Sequence, residues 1–184
     1  MIKTKKDLYR YIKADFDAQE MLHPLVARFT YGENWAMFQY MKTLRKLEYY
    51  KNTPPHMLRK YLYSYYLLKH RRNCLKYDMY ISPNIVGEGF KIVHPGFRRV
   101  DIVVKSIGKN CTILPMVLFG KKIPNEDGEC IEVGDNCYFG TGCTILGPVK
   151  IGNNVTVGAG AVVIHDIPDG CTVVGVPAKI IKRQ

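Results

Sequence analysis

No two of the six cysteines stand as C-x2-C, and the five histidines are scattered, so neither a zinc site nor a disulfide framework finds its spacing. The cysteines are read as reduced thiols, and no metal is expected. Long apolar runs are missing too: nothing approaches the roughly 20 uninterrupted apolar residues of a membrane helix. The first stretch, MIKTKKDLYRYIKADFDAQE, holds no apolar block and no small-residue cleavage site, and the expectation is a cytoplasmic protein. Tyrosine is scarce in the second half, with twelve of the thirteen lying before Ile81. Acidic charge is scarce in the first: residues 1–78 carry 16 Lys and Arg against 7 Asp and Glu, a net of +9, whereas 79–184 carry 11 against 9, a net of +2. With 47% hydrophobic and 23% charged residues in 184, the composition suits one compact domain with an extension.

What the first half does hold is a helical rhythm. ENWAMFQYMKTLRKLEYY and PPHMLRKYLYSYYLLKHRRN place apolar residues three and four apart with cations between them, and Pro54-Pro55 suits a helix start. Residues 1–78 are therefore read as a basic, Tyr-rich segment of two or three amphipathic helices ending near Asn73 to Asp78. Its Tyr and Leu residues can cover the following domain while Lys and Arg stay wet. The same composition suits a weak peripheral contact with a membrane surface, and less well a nucleic acid, which is not expected as a partner.

From Ile81 onward Val, Ile, Gly, Asn, Thr and Cys take over, and the rhythm changes. An apolar residue returns every six positions at Val133, Phe139, Ile145, Ile151, Val157 and Val163, with a small or branched residue four places on at Cys137, Cys143, Val149, Val155, Ala161 and Ile167. Six residues turn an α-helix through about 600°, which would scatter these groups around its axis. Short strands joined by corners keep them on one side. Three such hexads close a triangular coil of about 18 residues, with dipeptides such as those in GNN and GDN at corners needing positive φ. Stacked coils pair as parallel strands about 4.8 Å apart. The count extends back through Ile107, Ile113 and Phe119, but Phe119 to Val133 is fourteen residues, two more than two hexads. That slip places an irregular loop at about 120–130, a candidate functional loop.

The segments IGKNCTI and VGDNCYFGTGCTILGPVKIGNNVTVGAGAVVIHDIPDGCTVVGVPAKII resemble the hexapeptide-repeat acyltransferases, and ISPNIVGEGFKIVHPG followed by TILPMVLFG resembles their serine acetyltransferase branch. The resemblance covers about residues 79–182. It implies a mainly β fold with an α extension, in which 79–184 form a left-handed parallel β-helix, an exception to the right-handed crossover rule. It further implies a homotrimer with active sites between neighbouring prisms, and acetyl-CoA as donor. His94 matches the histidine that this branch uses as general base. An imidazole ordinarily titrates at about pH 6.5, so it can take the proton of an attacking hydroxyl and return it to the departing thiolate, an assistance worth roughly 10² to 10⁴ in rate. Backbone N–H groups at a corner would hold the oxyanion. The resemblance also implies a groove for the pantetheine arm walled by small residues, here Gly140, Thr141, Gly158, Ala159 and Gly160, with Lys179, Lys182 and Arg183 near the nucleotide phosphates.

Departures from the branch concern the acceptor. Val93 stands where an aspartate precedes the base histidine, Tyr80 stands where another aspartate is expected, and Glu129 and Cys130 replace an Arg-His pair. Asp78 lies close enough to Tyr80 to substitute. Charge complementarity for serine is weakened, and the first expectation is O-acetylation of a sugar or polysaccharide precursor, with Arg98 and Arg99 meeting a phosphate or an acidic sugar. Cys130, in the loop, is the remaining acceptor-pocket candidate. Serine O-acetylation and a non-catalytic trimeric scaffold are the alternatives.

Overall fold

Thr4 opens the first helix with a reciprocal cap: its hydroxyl accepts from the Asp7 N–H at 3.0 Å while the Asp7 carboxylate accepts from the Thr4 N–H at 3.0 Å. The computed structural model describes residues 1–21, 23–123 and 131–183. Its helices are α1 (Lys5–Ala18), α2 (Pro24–Phe29), α3 (Glu33–Asn52) and α4 (Met57–Tyr77). Two of the four escape the apolar spacing used above. α1 is largely charged, so its cue is the Thr4-x-x-Asp7 cap rather than a stripe, and α2 is only six residues long. α4 ends as expected, with Asp78 as a left-handed cap at φ 49°.

The strands follow at once: β1 (Met79–Ile81), β2 (Lys91–Ile92), β3 (Arg98–Val100), β4 (Val104–Ile107), β5 (Thr112–Ile113), β6 (Leu118–Lys121) and β7 (Ile131–Val133). The remainder are β8 (Tyr138–Phe139), β9 (Thr144–Gly147), β10 (Val149–Ile151), β11 (Thr156–Val157), β12 (Val162–Val163), β13 (Cys171–Val174) and β14 (Lys179–Arg183). They form three faces of a prism. One face orders β1-β3-β6-β9-β12, the second β10-β7-β4, and the third β14-β13-β11-β8-β5-β2. Neighbours pair in parallel except β14, which turns back antiparallel on β13. The loop at about 120–130 falls between β6 and β7, and Cys130 lies outside the described residues.

Every hexad residue named above points inward and is buried, from Val133 through Val163 and from Cys137 through Ile167. The corners between the second and third faces explain the asparagines and glycines. Asn110, Asn136 and Asn154 take φ of 54°, 58° and 56°, and their amides form a ladder from coil to coil at 3.3 and 3.1 Å. A Cβ on Gly134 would come within 2.7 Å of the Gly152 carbonyl carbon in the next coil, so the stacking distance itself demands glycine there.

α3 closes the open end of the prism. Its buried Met37, Tyr40, Met41 and Leu44 share one core with Met79, Ile81, Phe90 and Ile92 of the first coil. Beneath them Arg45 and Asp15, both fully buried, tie helices to prism. Arg45 pairs with Asp15 at 2.8 Å and Glu48 at 3.1 Å and donates to the carbonyls of Val86 and Gly87, while Asp15 accepts from the N–H groups of Gly89 and Phe90 at 3.0 and 3.1 Å. Burial alone would lower the Arg45 pKa, but the two carboxylates outweigh it and hold the group charged.

α4 contributes one buried polar group to this junction. His70 is 2% exposed; its Nε2 meets the Ile81 carbonyl at 3.1 Å and its Nδ1 has no partner among the described residues. A proton on Nδ1 would have no acceptor, and burial pushes the imidazole down to about 4, with the Ile81 bond opposing. Between about pH 4 and 6.5 the unfolded chain binds a proton that the folded chain refuses, so stability falls as pH drops through that window. The loss should reach roughly 3 kcal/mol by its lower end. Urea midpoints measured across pH should show this slope, and His70→Gln should flatten it. A slope unchanged by the substitution would assign the effect elsewhere.

Candidate functional site

The chain turns from the third face to the first at four stacked corners, and these carry six of the expected site residues, His94 among them. The lowest holds His94, Pro95 and Gly96, between β2 and β3. Above it come Leu114 to Val117, then Gly140, Thr141 and Gly142, then Gly158, Ala159 and Gly160. Backbone bonds fix the stack: Val93 donates to Ile113, Leu114 to Phe139, Gly142 to Pro115 and Gly160 to Thr141, at 2.9–3.1 Å. Three steps of about 4.8 Å separate the His94 corner from the uppermost one, so the column runs for about 14 Å along a single prism edge.

His94 itself takes φ 56°, an uncommon conformation for a residue with a Cβ. Two neighbours hold it there. Arg98 on β3 donates from Nη1 to the His94 carbonyl and from Nη2 to the Val93 carbonyl, both at 2.9 Å, with a third bond from Nε to Leu114. Glu33, the first residue of α3, meets His94 Nδ1 at 2.7 Å. The imidazole remains 64% exposed, and its Nε2 has no hydrogen-bond partner among the described residues. Phe97 and Met116 stand exposed on the same edge.

The expected anion pair does not exist as a pair. Strand alternation sends Arg98 inward, 1% exposed, and Arg99 outward. Burial pushes the Arg98 guanidinium down to about 10, and its donors are spent on the corner carbonyls, so it is a clamp for the His94 turn rather than a ligand for phosphate or an acidic sugar. Arg99 is exposed but already paired with Asp101 at 2.7 Å and placed over the Tyr80 ring at 5.8 Å. Asp78 is exposed at the end of α4, beside Tyr77, whose carbonyl accepts from the Gly96 N–H at 3.2 Å.

Two of the glycines expected to wall a groove have another explanation. A Cβ on Gly140 would lie 2.6 Å from the Ala159 nitrogen, and one on Gly158 would lie 2.7 Å from Val174 Cγ1, so coil packing requires both. Gly160, at φ 66°, faces open space, and Thr141 and Ala159 are exposed beside it. Lys179 and Lys182 are exposed on β14, which lies beyond β13 at the far end of the third face. A cleft of about 920 Å³ lies on α4 between Tyr65 and Lys76 and includes none of these residues. Glu33 was not anticipated. It lies 61 residues from His94 with no spacing to link them, and its only local cue is a helix start after Gly32.

Residues 130–165 match the bacterial transferase hexapeptide family (six repeats). A serine acetyltransferase of Synechococcus elongatus is 36% identical over 99 residues, covering 54% of this chain and 40% of that protein. The chain spans less than half the length of the curated relatives it matches. Among solved structures, the Neisseria gonorrhoeae serine acetyltransferase superposes with a TM-score of 0.71 at 24% identity, covering 97% of this chain and 66% of that one. The soybean serine acetyltransferase apoenzyme gives 0.67 at 27%, covering 95% and 69%. Agreement over nearly the whole chain establishes the left-handed β-helix with its helical extension, and the chain is a hexapeptide-repeat protein with the fold of the serine acetyltransferases.

Proposed function

We propose that the chain is an acetyl-CoA-dependent O-acetyltransferase with His94 as general base. The observation that carries this reading is the prism edge, where an imidazole whose Nε2 has no partner among the described residues stands at the foot of a column of small-residue corners. Nε2 takes the acceptor's hydroxyl proton as the oxygen bonds to the acetyl carbon; the carbon–sulfur bond then breaks, and the proton passes to the CoA thiolate. The length of the column suits an extended thiol arm passing Thr141, Ala159 and Gly160. Lys179 and Lys182, at the far end, suit its phosphates. A trimer is part of the proposal, because a second prism against this edge would cover Phe97 and Met116 and close the groove.

L-serine is the acceptor that the relatives favour over the sugar first expected, since those relatives are serine acetyltransferases. A sugar hydroxyl is kept as a second reading on one observation: Tyr80 and Val93 stand at the two positions where a carboxylate was expected to meet an ammonium group. Thiol release from acetyl-CoA, followed with L-serine, sugars and nucleotide sugars in parallel, separates them. Acceptor-dependent release is expected. Release with serine alone supports the first reading, release with sugars alone the second, and background release with every acceptor overturns the activity.

A further inference from the structure

The carboxylate nearest the candidate base comes from the helical segment rather than from the prism. Glu33 begins α3, and the rest of α3 is fixed against the first coil by Met37, Tyr40, Met41 and Leu44 and by the buried Arg45. The position of Glu33 is therefore set by the packing that closes the prism. Its Oε2 lies 2.7 Å from His94 Nδ1, a short contact of the kind made with an ionised acceptor. Glu33 makes no other side-chain hydrogen bond or ion pair among the described residues, so it is not explained as part of a surface network.

A neutral imidazole has one N–H, and which nitrogen carries it is decided by the hydrogen bond that the other ring atoms make. A carboxylate on Nδ1 keeps the proton there and leaves the Nε2 lone pair facing out. Arg98 meanwhile fixes the backbone at φ 56° by gripping the carbonyls of Val93 and His94. Backbone and ring are thus held by two residues from different parts of the chain. We propose that Glu33 is the positioning residue for His94, selecting the tautomer with the proton on Nδ1, so that the helical segment completes the site on the prism edge. This rests on the reading of His94 as base; the tautomer it predicts does not.

The test uses the full chain and two readouts. Imidazole nitrogen NMR shifts of His94, assigned by their disappearance in His94→Asn, should report the Nδ1–H tautomer in the wild type and the Nε2–H tautomer as the major form in Glu33→Ala. Glu33→Gln, whose amide oxygen can still accept from Nδ1, should retain the wild-type tautomer. In turnover assays with whichever acceptor the wild type uses, Glu33→Ala should lower kcat by about 10- to 100-fold, a part of the full general-base effect, with little change in the KM for acetyl-CoA. Glu33→Gln should recover most of that loss. An unchanged tautomer in Glu33→Ala overturns the proposal, whether or not activity falls. Should the wild type turn over no acceptor, the acetyl-transfer reading fails while the tautomer measurement still decides the role of Glu33. Should the alanine variant fold poorly, the tautomer in Glu33→Lys, a cation facing the same nitrogen, decides in its place: Nδ1–H there would overturn the proposal.

Discussion

Replacing His94 with asparagine is expected to lower acetyl transfer about 10²- to 10⁴-fold while leaving the fold intact. Asparagine is the informative choice because residue 94 sits at φ 56°, a conformation that asparagine adopts more readily than alanine. His94→Ala should lose the same activity and also about 1 kcal/mol or more of stability from that backbone. Little else holds the side chain, since it is 64% exposed and, among the described residues, bonded to Glu33 alone, so neither variant should change the oligomeric state, and the thermal transition should fall by a few degrees in His94→Ala and by less in His94→Asn. Thiol release at saturating acetyl-CoA measures the first effect, and circular dichroism with light scattering the second. Turnover of His94→Asn within a few-fold of the wild type would remove His94 from the chemistry and leave the prism edge without a base.

The prism was legible because its period is a property of the coil. Six residues per face put Val133, Phe139, Ile145, Ile151, Val157 and Val163 in one column, and all are buried. His94 stood out through its motif, and the structure places it exposed on the prism edge. What lay beyond reach depends on contacts that cross between the two kinds of structure. Arg98 and Arg99 are adjacent in sequence and invite reading as a pair, yet the two-residue period of β3 sends one into the corner and the other to solvent. Gly140 and Gly158 look like a bare wall until the next coil is seen against them. Glu33 and Asp15 face groups 61 and 74 residues away, and neither partner follows any period of helix or strand. α1 hid for a related reason: its buried residue is Asp15, a charge, where an apolar stripe was sought.

Asp15→Ala should be the most destabilising single change described for this chain, at about 3–5 kcal/mol, because it removes one partner of a buried ion pair and leaves the other. Arg45 would keep Glu48 but lose its contact with Asp15, at a site where both side chains are fully buried. The N–H groups of Gly89 and Phe90 would lose their acceptor as well, and each unsatisfied buried donor is costly. For a domain of this size the loss corresponds to a fall in Tm of roughly 6–20 °C. Replacing both partners, as Asp15→Leu with Arg45→Met, should recover much of it, since two apolar groups leave no stranded charge. If the double variant is no more stable than Asp15→Ala, the backbone bonds to Gly89 and Phe90 carry the effect rather than the charges. Either outcome bears on function, because that corner leads directly into β2, and His94 follows β2 by two residues. Loosening Asp15 should therefore cost acetyl transfer at temperatures below the global transition, as the first coil frays from the end that α1 and α3 hold closed.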